Sequence, residues 1–249
     1  MNIENMIIVG DKFEFFAENE GVLTVSEALH ILRNNLITDK NIRFKLGQGL
    51  NEAQVSLLIK TAKNVGLSNL LEFKETVKSG RKYVHKHQPR NSMLGLPRRI
   101  CESKFEIDVI IDDACDEMSD HVTGHHVQGM VITEATRQAF LAITEAFFLK
   151  EDDFSSYFVI NSLNSQYLNF AFPLPMTIEY EIKTHKVKKQ GVHYFDVVMN
   201  AVQNGVVCAE VSTSFSTYSS QWLKKKEEVM ACDAIKYILN NKESQNVAA

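Results

Sequence analysis

The sequence predicts an α+β protein in which long antiparallel strands wrap around one buried helix, preceded by a small unit of alternating strands and helices. Three observations carry this prediction. Strand-like and helix-like patterns alternate over the first 80 residues. Apolar residues of the stretch 127–148 occupy nearly all sides of a helix, which is typical of a largely buried one. Four long runs rich in β-branched and aromatic residues follow that stretch.

Composition excludes several functional classes. The chain has 249 residues, of which 45% are hydrophobic and 23% charged, and its net charge is -4. Such a chain can bury a sizeable core, and it lacks the excess of Lys and Arg that general nucleic-acid binding requires. No membrane span or signal peptide is recognisable, so we expect a cytoplasmic protein. The four cysteines form no Cys-x-x-Cys pair, which argues against a zinc knuckle or a thioredoxin-type site.

Residues 1–80 are predicted to form a small βαβα unit of unknown role. An apolar run at 6–9 indicates the first strand. Thr24 and Glu27 have the spacing of a capping box that starts a helix. The alternating stretch 42–46 indicates another strand, and Asn51 is placed to cap a second helix.

The stretch 81–99 is interpreted as a basic linker. It contains Pro89 and Pro97, many Lys, Arg and His residues, and few apolar ones. Its charge would suit an acidic partner such as an acyl carrier protein, although a solvated connector explains it as well.

Residues 100–220 are predicted to form a hotdog domain. Alternation at 105–111 indicates a strand, which precedes the buried helix. The later strands are predicted at 157–172, 176–188, 192–203 and 206–218, the last two joined by an Asn204-Gly205 hairpin turn. One strand, a buried helix and then four long antiparallel strands is the layout of the hotdog fold. Residues 221–249 are expected to form a C-terminal helix and tail.

The most informative stretch is the loop that enters the buried helix. His121, His125 and His126 lie in this loop, and Glu134 and Arg137 follow three residues apart on one helical face. Two charges in an apolar helix are either a structural ion pair or part of a cleft. A His beside a partly buried carboxylate is suited to proton transfer near neutral pH. The histidines match no established metal-ligand spacing, so we predict no metal site.

The same stretch resembles the A-factor biosynthesis hotdog family, whose members make γ-butyrolactone signals. The resemblance rests on the pattern His126-Val127-x-Gly129-Met130-Val131-x-x-Glu134-Ala135-x-Arg137-Gln138-Ala139. It implies action on a β-ketoacyl thioester carried by acyl carrier protein (ACP), with transfer to the hydroxyl of a glycerone-phosphate-like acceptor. It further implies His126, Glu134 and Arg137 as site residues.

The resemblance also bears on cofactors and assembly. It implies no cofactor beyond the phosphopantetheine of ACP or CoA that carries the substrate. Members of the family usually hold two such motifs in one chain, whereas this sequence has one. A homodimer is therefore expected, and ACP or acyl-CoA and a small hydroxylated acceptor are the expected partners.

Two alternatives remain open at this stage. His121-Val122-Thr123-Gly124 followed by Glu134 resembles, more loosely, the motif of β-hydroxyacyl-ACP dehydratases, so His121 is a second candidate catalytic residue. Dehydration or thioester hydrolysis is then the reaction. Alternatively, the domain is non-catalytic and binds an acyl group or a partner.

The predicted mechanism uses the start of the buried helix. The amides near Gly129 and Met130 would stabilise an oxyanion on the thioester carbonyl, since a helix start offers unpaired N–H groups. Glu134 or His126 would act as the base, and Arg137 would hold Glu134 ionised or bind an anionic acceptor group. We predict that His125, Gly129, Met130 and Gln138 contact the substrate.

Overall fold

The computed structural model confirms the small first unit. The structure describes residues 4–37, 41–75, 77–119, 122–149, 156–188 and 191–245. The first unit has a parallel sheet in the order β2-β1-β3. Its strands are β1 (Glu4–Val9), β2 (Val22–Thr24) and β3 (Ile42–Leu46).

Three helices complete this unit, and capping explains where two of them begin. They are α1 (Glu14–Ala17), α2 (Val25–Arg33) and α3 (Glu52–Asn64). The predicted capping box is present at α2, because the Thr24 hydroxyl accepts from the Glu27 amide and the Glu27 carboxylate accepts from the Thr24 amide. Asn51 caps α3 in the same reciprocal way with Gln54.

The stretch 81–99 combines exposed basic residues with residues of the main core. It contains the short helix α4 (Arg81–Val84) and the two-residue strand β4 (Arg98–Arg99). Val84, Met93 and Leu94 are fully buried in the same hydrophobic cluster as the large sheet. The division of the chain into domains stays a prediction.

The main body is the predicted hotdog fold. Six strands form an antiparallel sheet in the order β4-β5-β7-β8-β9-β6. The long helix α5 (Gly129–Phe147) packs on this sheet. The five further strands are β5 (Lys104–Val109), β6 (Ser156–Tyr167), β7 (Met176–Val187), β8 (His193–Gln203) and β9 (Val206–Ser219).

Burial of α5 follows from its composition. Its small residues Ala135, Ala139 and Ala142 are fully buried and permit close approach to the sheet. Phe140 is also fully buried, and its ring stacks on Phe215 of β9 with centroids 4.5 Å apart. The helix is apolar on nearly all sides and is largely buried, as its sequence predicted.

Strand β6 ends five residues earlier than the sequence predicted. The amides of Leu168 and Asn169 both donate to the carbonyl of Cys208, so the regular ladder with β9 stops there. The chain then turns, and the carbonyl of Ala171 accepts from the amide of Val127. The residues predicted to extend the strand instead hold the loop that enters α5.

The predicted hairpin and C-terminal helix are both present. Asn204 and Gly205 adopt φ values of 52° and 76°, the left-handed conformations of a tight hairpin turn between β8 and β9. Helix α6 (Ser220–Gln245) continues directly from β9, and residues 224–240 are all exposed. Within the described residues, no helix combines the length and apolar character needed to cross a membrane.

Candidate functional site at helix α5

The loop that enters α5 is held by the first unit of the chain. The amide of Phe16 donates to the carbonyl of Gly124 at 2.9 Å, and the ring of Phe15 stacks on His125 with centroids 5.4 Å apart. Gly124 has φ of +76°, and a Cβ there would collide with the Phe15 ring. Residues of the first unit therefore fix the conformation of the histidine loop.

His126 is the half-buried histidine of this loop. Its Nδ1 lies 3.1 Å from the Thr123 hydroxyl, and its ring meets Phe170 edge-on. No described residue hydrogen-bonds its Nε2, which is the proton-accepting nitrogen in the tautomer whose Nδ1–H donates to the Thr123 hydroxyl. His125 is exposed, and His121 lies outside the described residues.

The start of α5 leaves backbone donors unpaired. Gln128 is the N-cap residue, but its side chain makes no capping hydrogen bond. The amide of Met130, at the second helical position, therefore lacks the side-chain acceptor that an N-cap residue often provides, and no described residue accepts from the amide of Gly129. The Nε2 of Gln128 is buried and has no partner among the described residues, a feature that the sequence analysis missed.

Gly129 is required by a neighbouring aromatic ring. A Cβ at this position would lie 2.7 Å from the ring of Tyr167 on β6, so no other residue fits without displacing it. The Tyr167 hydroxyl is 2.7 Å from the hydroxyl of Thr133. Met130, by contrast, points outward with 67% of its surface exposed. The helix start is thus closely covered on one side and open on the other.

Glu134 lies at the centre of a second group of polar residues. Arg137 donates to both of its oxygens, from Nε at 2.7 Å and from Nη2 at 2.8 Å. Lys86 lies 2.8 Å from Oε1, and the Gln138 side-chain amide donates to the same oxygen at 3.0 Å. Four hydrogen-bonded contacts from three side chains surround this carboxylate.

These contacts keep Glu134 ionised. Burial by itself raises the pKa of Glu134, but the hydrogen bonds from Arg137, Lys86 and Gln138 outweigh burial and lower the pKa to about 2. The hydrogen bonds to Glu134 and Glu117 likewise outweigh burial at Lys86 and raise its pKa. Glu134 is therefore a fixed negative charge at neutral pH.

Lys86 is a member of this group that the sequence analysis missed. It lies in the stretch interpreted as a basic linker, yet it bridges Glu134 and Glu117, with a distance of 3.0 Å to the latter. No local spacing could reveal this contact, because 48 positions separate Lys86 from Glu134 in the chain. The only hint in the sequence was Glu117, a second acidic residue upstream of the helix that could attract the same cation.

Gln138 connects the group to the preceding segment. It is fully buried, and its amide nitrogen donates to the carbonyl of Asn91 at 2.8 Å as well as to Glu134. Its carbonyl oxygen accepts from the amide of Met93 at 2.9 Å. All polar atoms of Gln138 are thus engaged within the protein, which suits a positioning residue better than direct substrate contact.

The predicted site residues therefore form two groups. His126, Gly129 and Met130 lie at the start of α5, whereas Glu134, Arg137 and Gln138 lie one to two turns further along it. No hydrogen bond between described residues joins His126 to Glu134. The pairing of a histidine with Glu134 for proton transfer stays a prediction.

Sequence comparison decides the family. The model of the A-factor biosynthesis hotdog domain (AfsA) matches residues 69–219. The chain belongs to this family. The match contains the whole of α5, the large sheet and Lys86. Membership implies action on acyl thioesters, the general chemistry of the family. No protein of curated function matches the chain in sequence.

Structure comparison matches parts of the chain to several solved structures. A phenylacetic acid degradation-related protein from Ralstonia eutropha JMP134 is 16% identical, with a TM-score of 0.38, over 49% of this chain and 83% of its own. A thioesterase from Haemophilus influenzae is 11% identical, with a TM-score of 0.36, over 67% and 91%. A Bacillus halodurans protein solved with CoA is 17% identical, with a TM-score of 0.37, over 49% and 72%.

Removing Lys86 tests how Glu134 is held ionised. In Lys86→Met, the pKa of Glu134 should rise by about 1–2 units, because an opposite charge at hydrogen-bonding distance is lost. A ¹³C NMR titration of the Glu134 carboxyl carbon measures this shift. Lys225→Met removes the same charge from exposed α6 and should leave that pKa unchanged. Equal values in wild type and Lys86→Met would contradict the proposed role of Lys86.

The ionised carboxylate also predicts how stability depends on pH. Because the pKa of Glu134 is lower in the folded state than the ordinary 4.5, folding releases a proton from this group in acid. The ionised Glu134 adds up to roughly 3 kcal/mol to the free energy of unfolding. This contribution is present above about pH 5 and is lost as the pH falls towards 2. Urea unfolding at several pH values should therefore show a shallower acid decline for Glu134→Gln than for wild type. Parallel declines would contradict this expectation.

Proposed function

We propose that the protein is an acyltransferase that moves a β-ketoacyl or β-hydroxyacyl group from a thioester on ACP or CoA to a small hydroxylated acceptor. Such a reaction belongs to the biosynthesis of butyrolactone-like signals or related secondary metabolites. Family membership supports the thioester substrate. The preference for acyl transfer over dehydration rests on the ionised state of Glu134.

Dehydration requires an acid at the position that Glu134 occupies. The hydrogen bonds from Arg137, Lys86 and Gln138 hold the pKa of the Glu134 carboxyl well below its ordinary value, so this group is ionised and a very poor proton donor at pH 7. Transfer to a hydroxyl needs a base and an oxyanion site instead. This difference favours acyl transfer over the dehydratase alternative.

The start of α5 supplies the groups that transfer needs. His126 accepts the proton of the acceptor hydroxyl through Nε2 as the hydroxyl oxygen attacks the thioester carbonyl. The amides of Gly129 and Met130 stabilise the resulting oxyanion, aided by the positive end of the helix. When the carbon–sulfur bond breaks, the departing thiolate takes the proton back from His126, and an ester is formed.

Glu134 and its partners would act through position and charge. Glu134 fixes the guanidinium of Arg137, and Lys86 and Gln138 fix Glu134. Arg137 retains N–H groups that Glu134 does not use, so it is able to attract an anionic part of the acceptor. We assign Gln138 to positioning on this basis.

A second copy of the chain is proposed as the structural partner. Strand β6 lies at the end of the sheet, and its outer edge pairs with no described strand. Its exposed side chains include Tyr157, Ile160 and Tyr167. A long strand edge with apolar side chains is a ready template for pairing with another strand. Antiparallel pairing of two β6 strands would join the two sheets into one.

Intact-mass spectrometry of loaded ACP tests the reaction. β-Ketoacyl-ACP incubated with the protein and glycerone phosphate should lose the acyl mass only when the acceptor is present. His126→Gln should slow this loss by at least about 10²-fold, as expected for removal of a general base. His30→Gln, which changes an exposed histidine of α2, is the matched control and should remain active.

Other outcomes identify the competing functions. Acyl loss without acceptor would indicate a thioesterase, and loss of one water from a β-hydroxyacyl-ACP would indicate a dehydratase. A tight complex whose carrier mass never changes would favour a non-catalytic binding module. Each of these results would contradict acyl transfer.

The proposed dimer predicts a mass in solution. Light scattering should give twice the chain mass of 28.3 kDa. Ile160→Lys places a charge on the exposed edge strand and should shift the protein towards the monomer. Lys225→Glu on exposed α6 is a control that should leave the mass unchanged. A wild-type protein that is monomeric at all concentrations would contradict the dimer.

A further inference from the structure

An open cavity of about 340 Å³ lies where the first unit of the chain meets the main body. Glu52 at the start of α3 and Asp112 after β5 line it, together with Lys78 and Arg90 on either side of α4. Arg90 is paired with Asp116 at 3.0 Å. None of the described residues that line the cavity belongs to α5, so the cavity is separate from the site proposed for acyl transfer.

Lys78 is a half-buried lysine at the wall of this cavity. No described residue forms a hydrogen bond or an ion pair with its ammonium group. The backbone beside it is fixed, because the amide of the buried Ser79 donates to the carbonyl of Leu94 at 2.7 Å and its hydroxyl donates to the carbonyl of Gly95 at 2.5 Å. A lysine is thus held at a cavity without a partner for its charge.

The surroundings of Lys78 favour its neutral amine. Burial lowers the pKa of Lys78, and the negative charges of Asp112 and Glu52 offset this effect only in part. A neutral lysine amine is a nucleophile, and lysines whose pKa is lowered in this way form Schiff bases with carbonyl compounds. The proposed acyl transfer leaves this amine unused.

Asp112 supplies a carboxylate to the same cavity. It is only 5% exposed, its Oδ1 accepts from the amide of Ala114 at 2.8 Å, and no described residue donates to its Oδ2. An iminium at Lys78 would keep the positive charge that faces Asp112 and Glu52. Acylation of the amine would instead remove that charge and leave both carboxylates without it. The charges therefore favour a carbonyl compound over an acyl donor.

We propose that Lys78 captures a small aldehyde in this cavity as an iminium adduct. The lone pair of Nζ attacks the aldehyde carbon, and the carbonyl oxygen takes up a proton lost by the nitrogen, which gives a carbinolamine. The proton that Lys78 released on becoming neutral returns through Asp112 to the new hydroxyl. This hydroxyl leaves as water while the carbon–nitrogen double bond forms. Overall, one ammonium group and one aldehyde give one iminium cation and one water.

Reductive trapping on the full chain tests the proposal. Propionaldehyde and sodium cyanoborohydride near neutral pH convert an iminium into a stable propyl-lysine, which intact-mass spectrometry detects and peptide mapping locates. Lys78 should be modified at least about fivefold faster than the exposed Lys74. Lys78→Arg should abolish the fast modification, and the matched variant Lys74→Arg should retain it. Equal rates at the two lysines, or slower modification of Lys78, would overturn the proposal.

Two further measurements test Asp112 and the class of reagent. Asp112→Asn should slow the trapping of Lys78 several-fold at a pH where this amine is neutral in both proteins, so that the change reports proton return. Thermal unfolding verifies that the variant is folded, and an unchanged rate would overturn the role of Asp112. The thioester S-acetyl-N-acetylcysteamine should not acetylate Lys78 faster than Lys74. Preferential acetylation of Lys78 would overturn the choice of an aldehyde.

Discussion

An ionised carboxylate on the most deeply buried helix constrains much of the surrounding structure. A charge taken out of water is costly unless other groups replace its hydration. Glu134 meets this requirement with Arg137, Lys86 and Gln138. Two of these partners also contact other parts of the chain. Lys86 binds Glu117, and Gln138 hydrogen-bonds the backbone of residues 91 and 93. One charge therefore ties α5 to the segment after α4.

The first unit of the chain contacts the loop that enters the same helix. Phe15 and Phe16 hold the histidine loop, and Gln48 donates its side-chain amide to the carbonyl of Val109 while accepting from the amide of Ile111. These contacts fix β5 and the loop relative to each other. The site is consequently assembled from both halves of the sequence. Residues of the first unit thus contact Gly124 and His125, the two residues that directly precede His126.

Local patterns in the sequence were sufficient to predict most of the fold. The capping box at Thr24, the Asn204-Gly205 turn and the all-round apolar character of α5 each depend on neighbouring residues only, and the structure contains all three. The pairing of Glu134 with Arg137 was also accessible, because positions three apart in a helix face each other. Contacts made at long range were not accessible.

Lys86 shows why the remainder of the site was missed. Its stretch of the chain has the composition of a solvated connector, and only the folded structure brings it to Glu134. The same reason applies to Phe15, which reaches His125 from a different unit. The early end of β6 depends on Cys208 of the neighbouring strand accepting two amides, which no pattern within β6 encodes. Sequence reasoning thus located the helix and its charges but not the groups that fix them.

In the proposed reaction, the start of α5 receives the thioester carbonyl beside His126. A crystal structure with an acyl-pantetheine analogue, in which an amide replaces the thioester, tests this claim most directly. We predict the carbonyl oxygen at about 2.7–3.1 Å from the amides of Gly129 and Met130. Binding of that carbonyl at the Glu134–Arg137 pair, or away from α5, would contradict it.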